Sequence, residues 1–527
     1  MEKSKGKILW IDDEIDLLKP HIILLNQRGF ETDTATNGED AIEMVRRTHY
    51  DLIFLDEMMV GISGLETLSV IKEIDSRTPV VMVTKNEAES VMEEAIGKKI
   101  DDYLTKPVNP TQILLACKKF IEGERIEKER FTQDYLSGFA QLSAKMLEPL
   151  SWGDWRDIYI QLVNWSIELD RHNEEGLAQT LQDKWKECNT EFSKFVENNY
   201  YDWIHHPDDK RNEEYPILSP HVSDYFVLPH LKEGKKIFYI IVDCMRLDQW
   251  LMMREHLEPY FSFKTNYYSS ILPTATPYAR NAIFAGLYPI DIKKYFPQWW
   301  NVDSNTEDHK QNAYEKELLE TWLERRRIKT NGKVGFIKIF DTDFGKKIER
   351  EIKDYMDNTI TAIVINAVDM IAHSRSDYAI LKEIAPDEAA YRSLTSSWFK
   401  HSSLFGILKS LAERRDIKII LTTDHGSIRC MRGVKVLGDR DTSTNLRYKF
   451  GKNVKADKRH AMQIDDLTKY KIPSMGISVN NIIAKEDYYF VYPTDYHQFL
   501  NRYRDSFQHG GISLEEMIVP IIELEPR

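Results

Sequence analysis

Short, β-branched apolar runs that stop abruptly on an aspartate or a threonine recur along this chain, and no other feature limits its fold as much. In the first 120 residues they are Lys7–Ile11 before Asp12 and Asp13, Asp51–Leu55 before Asp56, Pro79–Val83 before Thr84, and Asp101–Leu104 before Thr105, Lys106 and Pro107. Runs this short with no polar face are buried parallel strands. Helical stretches Glu39–Arg47 and Leu65–Ile74 lie between them. Such βα alternation predicts one doubly wound domain with its site at the carboxyl ends of the strands.

From about Glu122 the pattern changes to a charge run, EGERIEKER, and then to helical spacing with almost no Pro or Gly as far as about Asn199. Trp152, Trp155, Trp165, Trp185 and Trp203 fall in this stretch and read as packing anchors of a small helical bundle. After Pro216 strand signals return at Lys235–Val242, Lys333–Ile339, Thr361–Val368, Ile417–Leu421 and Met517–Glu523, predicting a second, larger α/β domain. The expected divisions are 1–122, 123–215 and 216–527. A chain of 527 residues is long enough for all three.

Composition excludes several classes. With 42% hydrophobic and 29% charged residues the chain is neither disordered nor fibrous. Its balance of 71 basic and 84 acidic side chains, a formal −13, is wrong for a generic nucleic-acid coat protein. The cysteines Cys117, Cys188, Cys244 and Cys430 show no CxxC spacing, which argues against disulfides and thiolate zinc. No signal peptide or membrane-length apolar run is present, so a soluble, cytoplasmic protein is expected.

In the first domain Asp12, Asp13 and Asp56 should converge. Three close carboxylates suit Mg²⁺, and Thr84 and Lys106 suit the oxygens of a phosphoryl group. The DD pair, the lone strand-end Asp, the Thr and the Lys-Pro resemble the response-regulator receiver domain, a flavodoxin-like fold with a parallel five-stranded sheet. The resemblance implies phosphoryl transfer from a histidine kinase to Asp56, with Asp12 and Asp13 at Mg²⁺. It further implies Lys106 on the acyl phosphate, Thr84 reporting it, Tyr103 as the switching aromatic and a cis peptide before Pro107.

The larger domain places different ligands after its strands: Asp243 in VDCMRLDQW, Asp369 and His373 in AVDMIAHS, Asp424 and His425 in TTDHG, and His509 in QHGGISLEE. Carboxylates with imidazoles suit zinc or manganese. Six of them suit two ions, and a hydroxyl is available in ILPTATPYARNAIFAGLYP. These segments, with D-x-x-R-x-D at Asp243, Arg246 and Asp248, resemble the PglZ-type branch of the alkaline phosphatase superfamily. That resemblance implies one metal at Asp369, His373 and His509, a second at Asp243, Asp424 and His425, and a metal-activated threonine nucleophile. Thr276, ten residues before Gly286, is the first choice and Thr274 the reserve. The C/S-x-P-x-R segment of sulfatases is missing, so sulfate esters are not expected substrates.

Residues 429–460 hold ten Lys or Arg against three Asp, with Tyr448 and Phe450 interleaved. This pattern suits a phosphate backbone with stacked bases but equally a solvated loop. Arg447 and Lys449 of this stretch, together with Arg246, are candidate substrate contacts, and a nucleotide or a linear or cyclic oligonucleotide is the expected phosphodiester. The whole order resembles the PorX type of response regulator, associated with type IX secretion in Bacteroidetes. This implies a PorY-type sensor kinase, contact with a sigma factor, a phosphorylation-dependent homodimer and a zinc-dependent phosphodiesterase output. Two other readings stay open: an adaptor that binds a nucleotide or sigma factor with little catalysis, and a phosphomonoesterase.

Overall fold

A computed structural model describes the chain except residues 1–4, 76, 77, 86–99, 173, 207–214, 302–310, 331, 332, 439–442, 444, 477 and 493–495. By compactness it forms two units, Met1–Gln141 and Leu142–Arg527.

The first unit is a five-stranded parallel sheet of β1 (Lys7–Ile11), β2 (Glu31–Ala35), β3 (Leu52–Asp56), β4 (Val80–Thr84) and β5 (Asp102–Thr105), ordered β2-β1-β3-β4-β5. The four apolar runs form β1, β3, β4 and β5, within a residue of the expected bounds. Strand β2, ETDTA, escapes an apolar-run search because it is the sheet edge and mostly polar. Alternate residues of β1 and β3 fill two separate cores: Ile8, Trp10, Leu52 and Phe54 on one face, Leu9, Ile11, Ile53 and Leu55 on the other. Burial on both faces is why these strands read as unbroken apolar runs.

The second unit is built on β6 (Lys236–Val242), β7 (Phe261–Ser269), β8 (Val334–Ile339), β9 (Ile360–Ile365), β10 (Ile417–Thr422) and a late strand, β18 (Ile518–Pro526). Their order is β7-β18-β10-β6-β9-β8, parallel from β10 to β8 and antiparallel at β18 and β7, a mixed sheet. Strand β7, FSFKTNYYS, is the second edge strand without an apolar run. Between β10 and β18 lie the short strands β11 (Ile428–Cys430), β12 (Arg432–Lys435), β13 (Tyr448–Lys452), β14 (Ala461–Ile464), β15 (Val479–Ala484), β16 (Tyr488–Val491) and β17 (Ser506–Gln508). They pair as β11-β17, β12-β16 and β13-β15-β14. One expected strand, Thr361–Val368, ends earlier: the chain turns helical at Ala367, so Asp369 and His373 ride on the helix Ala367–Asp377.

The helices Trp152–Arg171 and Glu175–His205 belong to this second unit. Trp152 packs edge-on against Trp203 at 5.9 Å and Trp155 against Phe192 at 5.6 Å, the anchoring role their spacing suggests. A Ser151–Asp154 capping box starts the first of these helices. Three polar side chains one helical turn apart on the second, Trp185, Asn189 and Ser193, bind the segment Ile512–Glu515. These buried polar contacts with the loop before β18 tie the helices to the α/β sheet.

Candidate functional site

The first site lies at the carboxyl edge of the five-stranded sheet. Asp12, Asp13 and Asp56 each place a carboxylate oxygen within 4.8 Å of the others. Lys106 Nζ stands 2.8 Å from Asp12 Oδ2 and 2.9 Å from Asp56 Oδ2. Burial raises the Asp56 pKa above its ordinary value, and the Lys106 ammonium opposes that rise. Thr84 donates to Glu57, a partner the motif did not point to. Tyr103 is exposed, and the Lys106–Pro107 peptide is cis.

The second site is assembled by strand register. Val242 lies opposite Ile365 and Ile241 opposite Thr422, so Asp243, Asn366 and Asp424 leave the sheet at one edge. Cys244 takes a left-handed φ of 64°, and its N–H donates to Asp424 Oδ1 at 3.3 Å. His509 arrives differently. Ile428 of β11 pairs with Gln508 of β17, which brings His509 beside the turn after Asp424 and stacks its ring on His425 at 4.3 Å.

Two glycines make this approach possible. A Cβ on Gly426 would sit 2.0 Å from the Glu515 carbonyl oxygen, and Gly510 has φ +116° with the Tyr448 ring 2.3 Å from any Cβ it might carry.

The six ligand candidates gather as two groups, Asp369, His373 and His509, and Asp243, Asp424 and His425, each with ligand atoms within 4.8 Å of one another. Asp369 Oδ1 is 3.3 Å from His373 Nε2 and 3.4 Å from His509 Nε2. In the other group His425 Nε2 lies 3.9 Å from Asp243 and 3.7 Å from Asp424. The Asp424 carboxyl is pushed well above its ordinary pKa by burial and by Asp243, and burial drives His425 well below its own. Asp424 Oδ2 is buried, lies 3.7 Å from Arg280 Nη1, and accepts no hydrogen bond from the described residues. A buried carboxylate oxygen without a hydrogen-bond donor, beside the His425 imidazole that burial favours as neutral, fits a divalent cation.

Of the two threonines, Thr276 opens the helix Thr276–Ala285 and points into the second group. Its hydroxyl donates to Asp243 Oδ1 at 3.2 Å and lies 3.1 Å from His425 Nε2. Thr274 is fully buried, donating to the Gly511 carbonyl at 2.8 Å and accepting from the Gly510 N–H at 3.1 Å. It braces the loop that carries His509.

Arg280, one turn beyond Thr276, was not singled out by the motifs. It bonds Asp243 Oδ2 and Glu315 Oε1, both at 2.6 Å, and Lys338 bonds Glu315 Oε2 at 2.6 Å behind it. The spacing T-x-x-x-R, which puts both residues on one helix face, was the available signal.

The three expected substrate contacts are buried and paired within the protein. Arg246 is buried against Asp248 at 2.9 Å and Glu388 at 2.6 Å. Arg447 is buried against Glu516 at 2.5 Å, and Glu516 also holds the Gly511 N–H at 2.8 Å. Lys449 is buried, donates to the Ser443 carbonyl at 3.0 Å, and is pushed by burial down to about 7. Their charges serve the interior and the His509 loop. Residues 439–442 and 444 of the same basic stretch lie outside the described residues.

Comparison with known proteins agrees with this division of labour. The response regulator receiver domain model matches residues 8–118, and the PorX response regulator linker domain model matches 125–204. The model of the BREX system PglZ alkaline phosphatase-like domain matches 222–524, more than half of the 527 residues. The chain belongs to the PglZ alkaline phosphatase-like family. With the receiver and linker in front, it is a PorX-type response regulator.

Curated relatives include the transcriptional regulatory protein ResD of Bacillus subtilis, 32% identical over 120 residues, 23% of this chain and 50% of ResD. A CpxR homolog of Haemophilus influenzae is 33% identical over 118 residues, 22% of this chain and 50% of that protein. The chain spans about half the length of these relatives. Among solved structures, the receiver domain of Francisella response regulator 1452 is 24% identical, covering 22% of this chain and 97% of its own, at a TM-score of 0.22. A two-component response regulator from Clostridium difficile is 28% identical, covering 23% and 97%, also at 0.22. Among the described residues no helix is long and apolar enough to cross a membrane.

Proposed function

We propose that the output domain is a two-metal phosphodiesterase with Thr276 as nucleophile, acting on nucleotides or oligonucleotides under control of phosphorylation at Asp56. The observation that carries this reading is the Thr276 hydroxyl, 3.2 Å from Asp243 and 3.1 Å from His425, two members of one of the two groups of metal-ligand side chains. Asp369, His373 and His509 would hold one ion and Asp243, Asp424 and His425 the other. Zinc or manganese bound there supplies Lewis acidity that favours the threonine alkoxide and offsets charge on the phosphoryl oxygens. The first turn of Thr276–Ala285 adds the positive end of its helix dipole. Thr276 Oγ1 attacks phosphorus and one alcohol leaves, giving a phosphothreonyl ester. Water then cleaves that ester and releases the second product.

Arg280 favours a diester over a monoester. Its guanidinium is committed to Asp243 and Glu315, so it adds little charge to balance a monoester dianion. The burial of Arg447 and Lys449 withdraws them as contacts for a long strand, which favours short or cyclic oligonucleotides. Mg²⁺ at Asp12, Asp13 and Asp56 would support phosphoryl transfer from a PorY-type kinase, and phosphorylation would favour a homodimer. A role in type IX secretion with a sigma factor as partner, in the cytoplasm, completes the proposal. The test is hydrolysis of bis(p-nitrophenyl) phosphate, p-nitrophenyl phosphate and graded oligonucleotides by zinc-loaded protein. Turnover of diesters that Thr276→Ala loses supports the reading, and turnover of monoesters alone overturns it.

A further inference from the structure

A cavity of about 440 Å³ lies between the helices Trp152–Arg171 and Glu175–His205 and the loops, helices and short strands around Arg246, Glu388, Ile428, Asp487 and Glu515 in the second unit. Neither Thr276 nor any of the six metal-ligand candidates lines it. Part of its wall is apolar and aromatic, with Tyr159, Leu181, Trp185 and Ile428. Its volume and mixed lining are those of a small-molecule site.

The charges around it do not balance. Among the described residues, seven carboxylates line the cavity against five cationic side chains. The buried arginines are already committed, Arg246 to Asp248 and Glu388, and Arg392 to Asp248 and Asp170. Glu515, only 8% exposed, takes its hydrogen bonds from neutral donors: Trp185 Nε1 at 2.6 Å and Asn189 Nδ2 at 3.0 Å. Burial lifts its carboxyl to about 7, with the Asn189 amide and the charge of Arg246 offsetting only part of the lost hydration.

We propose that this cavity is a binding site for a small organic cation with a flat apolar body, its ammonium or amidinium group paired with Glu515 and its body between Trp185 and Leu181. An aromatic wall beside a carboxylate holds such a cation by charge and by its ring face together. The cavity also touches the metal-bearing loops. The Glu515 carbonyl packs on Gly426 of the Asp424–His425 turn, and Arg246 follows Asp243 by three residues. The site does not depend on the hydrolytic reading, and its test measures no turnover.

Titration calorimetry of the full chain at pH 8 with tryptamine, and with indole-3-propionate as its anionic counterpart, decides the matter. The expected result is one saturable tryptamine site and no uptake of indole-3-propionate. Glu515→Gln should weaken tryptamine about tenfold or more, and Leu181→Trp, which fills the cavity, should abolish binding. No saturable tryptamine binding, equal binding of both compounds, or undiminished binding by Glu515→Gln would overturn the proposal.

Discussion

Thr274 and Thr276 stand two residues apart with different work, and their hydrogen bonds tell them apart. Thr276→Ala removes the proposed nucleophile, so diester turnover should fall by at least about a thousandfold with metal content unchanged. Thr274→Val leaves the buried Gly510 N–H without its acceptor, at a cost of about 1–3 kcal/mol. Its melting temperature should drop by several degrees while turnover persists. If Thr274→Val kept its stability and lost turnover, the assignment of the two hydroxyls would be reversed.

Glu515 gives a pH prediction with a definite sign. Its folded pKa is raised from 4.5 to about 7, so between those values the folded chain holds a proton that the unfolded chain has released. Stability from this group is therefore present below the unfolded pKa and is lost as pH rises through the folded one. The wild type should lose up to roughly 3 kcal/mol relative to Glu515→Gln from pH 4.5 to above pH 7. Urea unfolding of both proteins at pH 5 and pH 8 measures the difference, and equal pH dependence would contradict it.

The elements show where sequence was informative. Strands buried on both faces, such as β3 and β10, announce themselves as apolar runs, and their terminal aspartates carry the site. The edge strands β2 and β7 do not, because one side of the ladder lies open and their side chains alternate or are polar. A strand and a helix start also look alike over TAIVINAV, where apolar character continues past Ile365 into the helix that carries Asp369 and His373. The basic stretch 429–460 was ambiguous for a related reason. Charge in a sequence does not report burial, and Arg447 is neutralised by Glu516, 69 residues away. Arg280 was hidden likewise, since its partner Glu315 is 35 residues on.

Glycine in the D-H-G turn is a requirement of packing between elements. With the Glu515 carbonyl 2.0 Å from where a Cβ would stand, Gly426→Ala must displace either the Asp424–His425 turn or the segment before β18. A cost above about 2 kcal/mol is expected, with zinc affinity reduced in proportion to the displacement of His425. Unfolding and competitive zinc titration of Gly426→Ala would measure both. Unchanged values would show that the two segments do not constrain each other.

At the level of the whole chain, one covalent change at Asp56 is proposed to govern an enzyme in another compact unit. On that proposal phosphorylation would act by shifting an equilibrium that already exists, so a phosphoryl mimic suffices to test it. Beryllofluoride should raise the sedimentation mass of the wild type from monomer toward dimer at micromolar concentration. Asp56→Ala should remain monomeric and keep its metal. An unchanged wild-type mass would contradict the predicted dimer.

The two ions are the claim on which the output chemistry rests. Anomalous diffraction at the zinc edge from crystals of the zinc-replete protein measures them directly. Two peaks per chain are predicted, one bounded by Asp369, His373 and His509 and the other by Asp243, Asp424 and His425, with Thr276 Oγ1 adjacent to the second. No anomalous peak at either group would contradict the two-metal site.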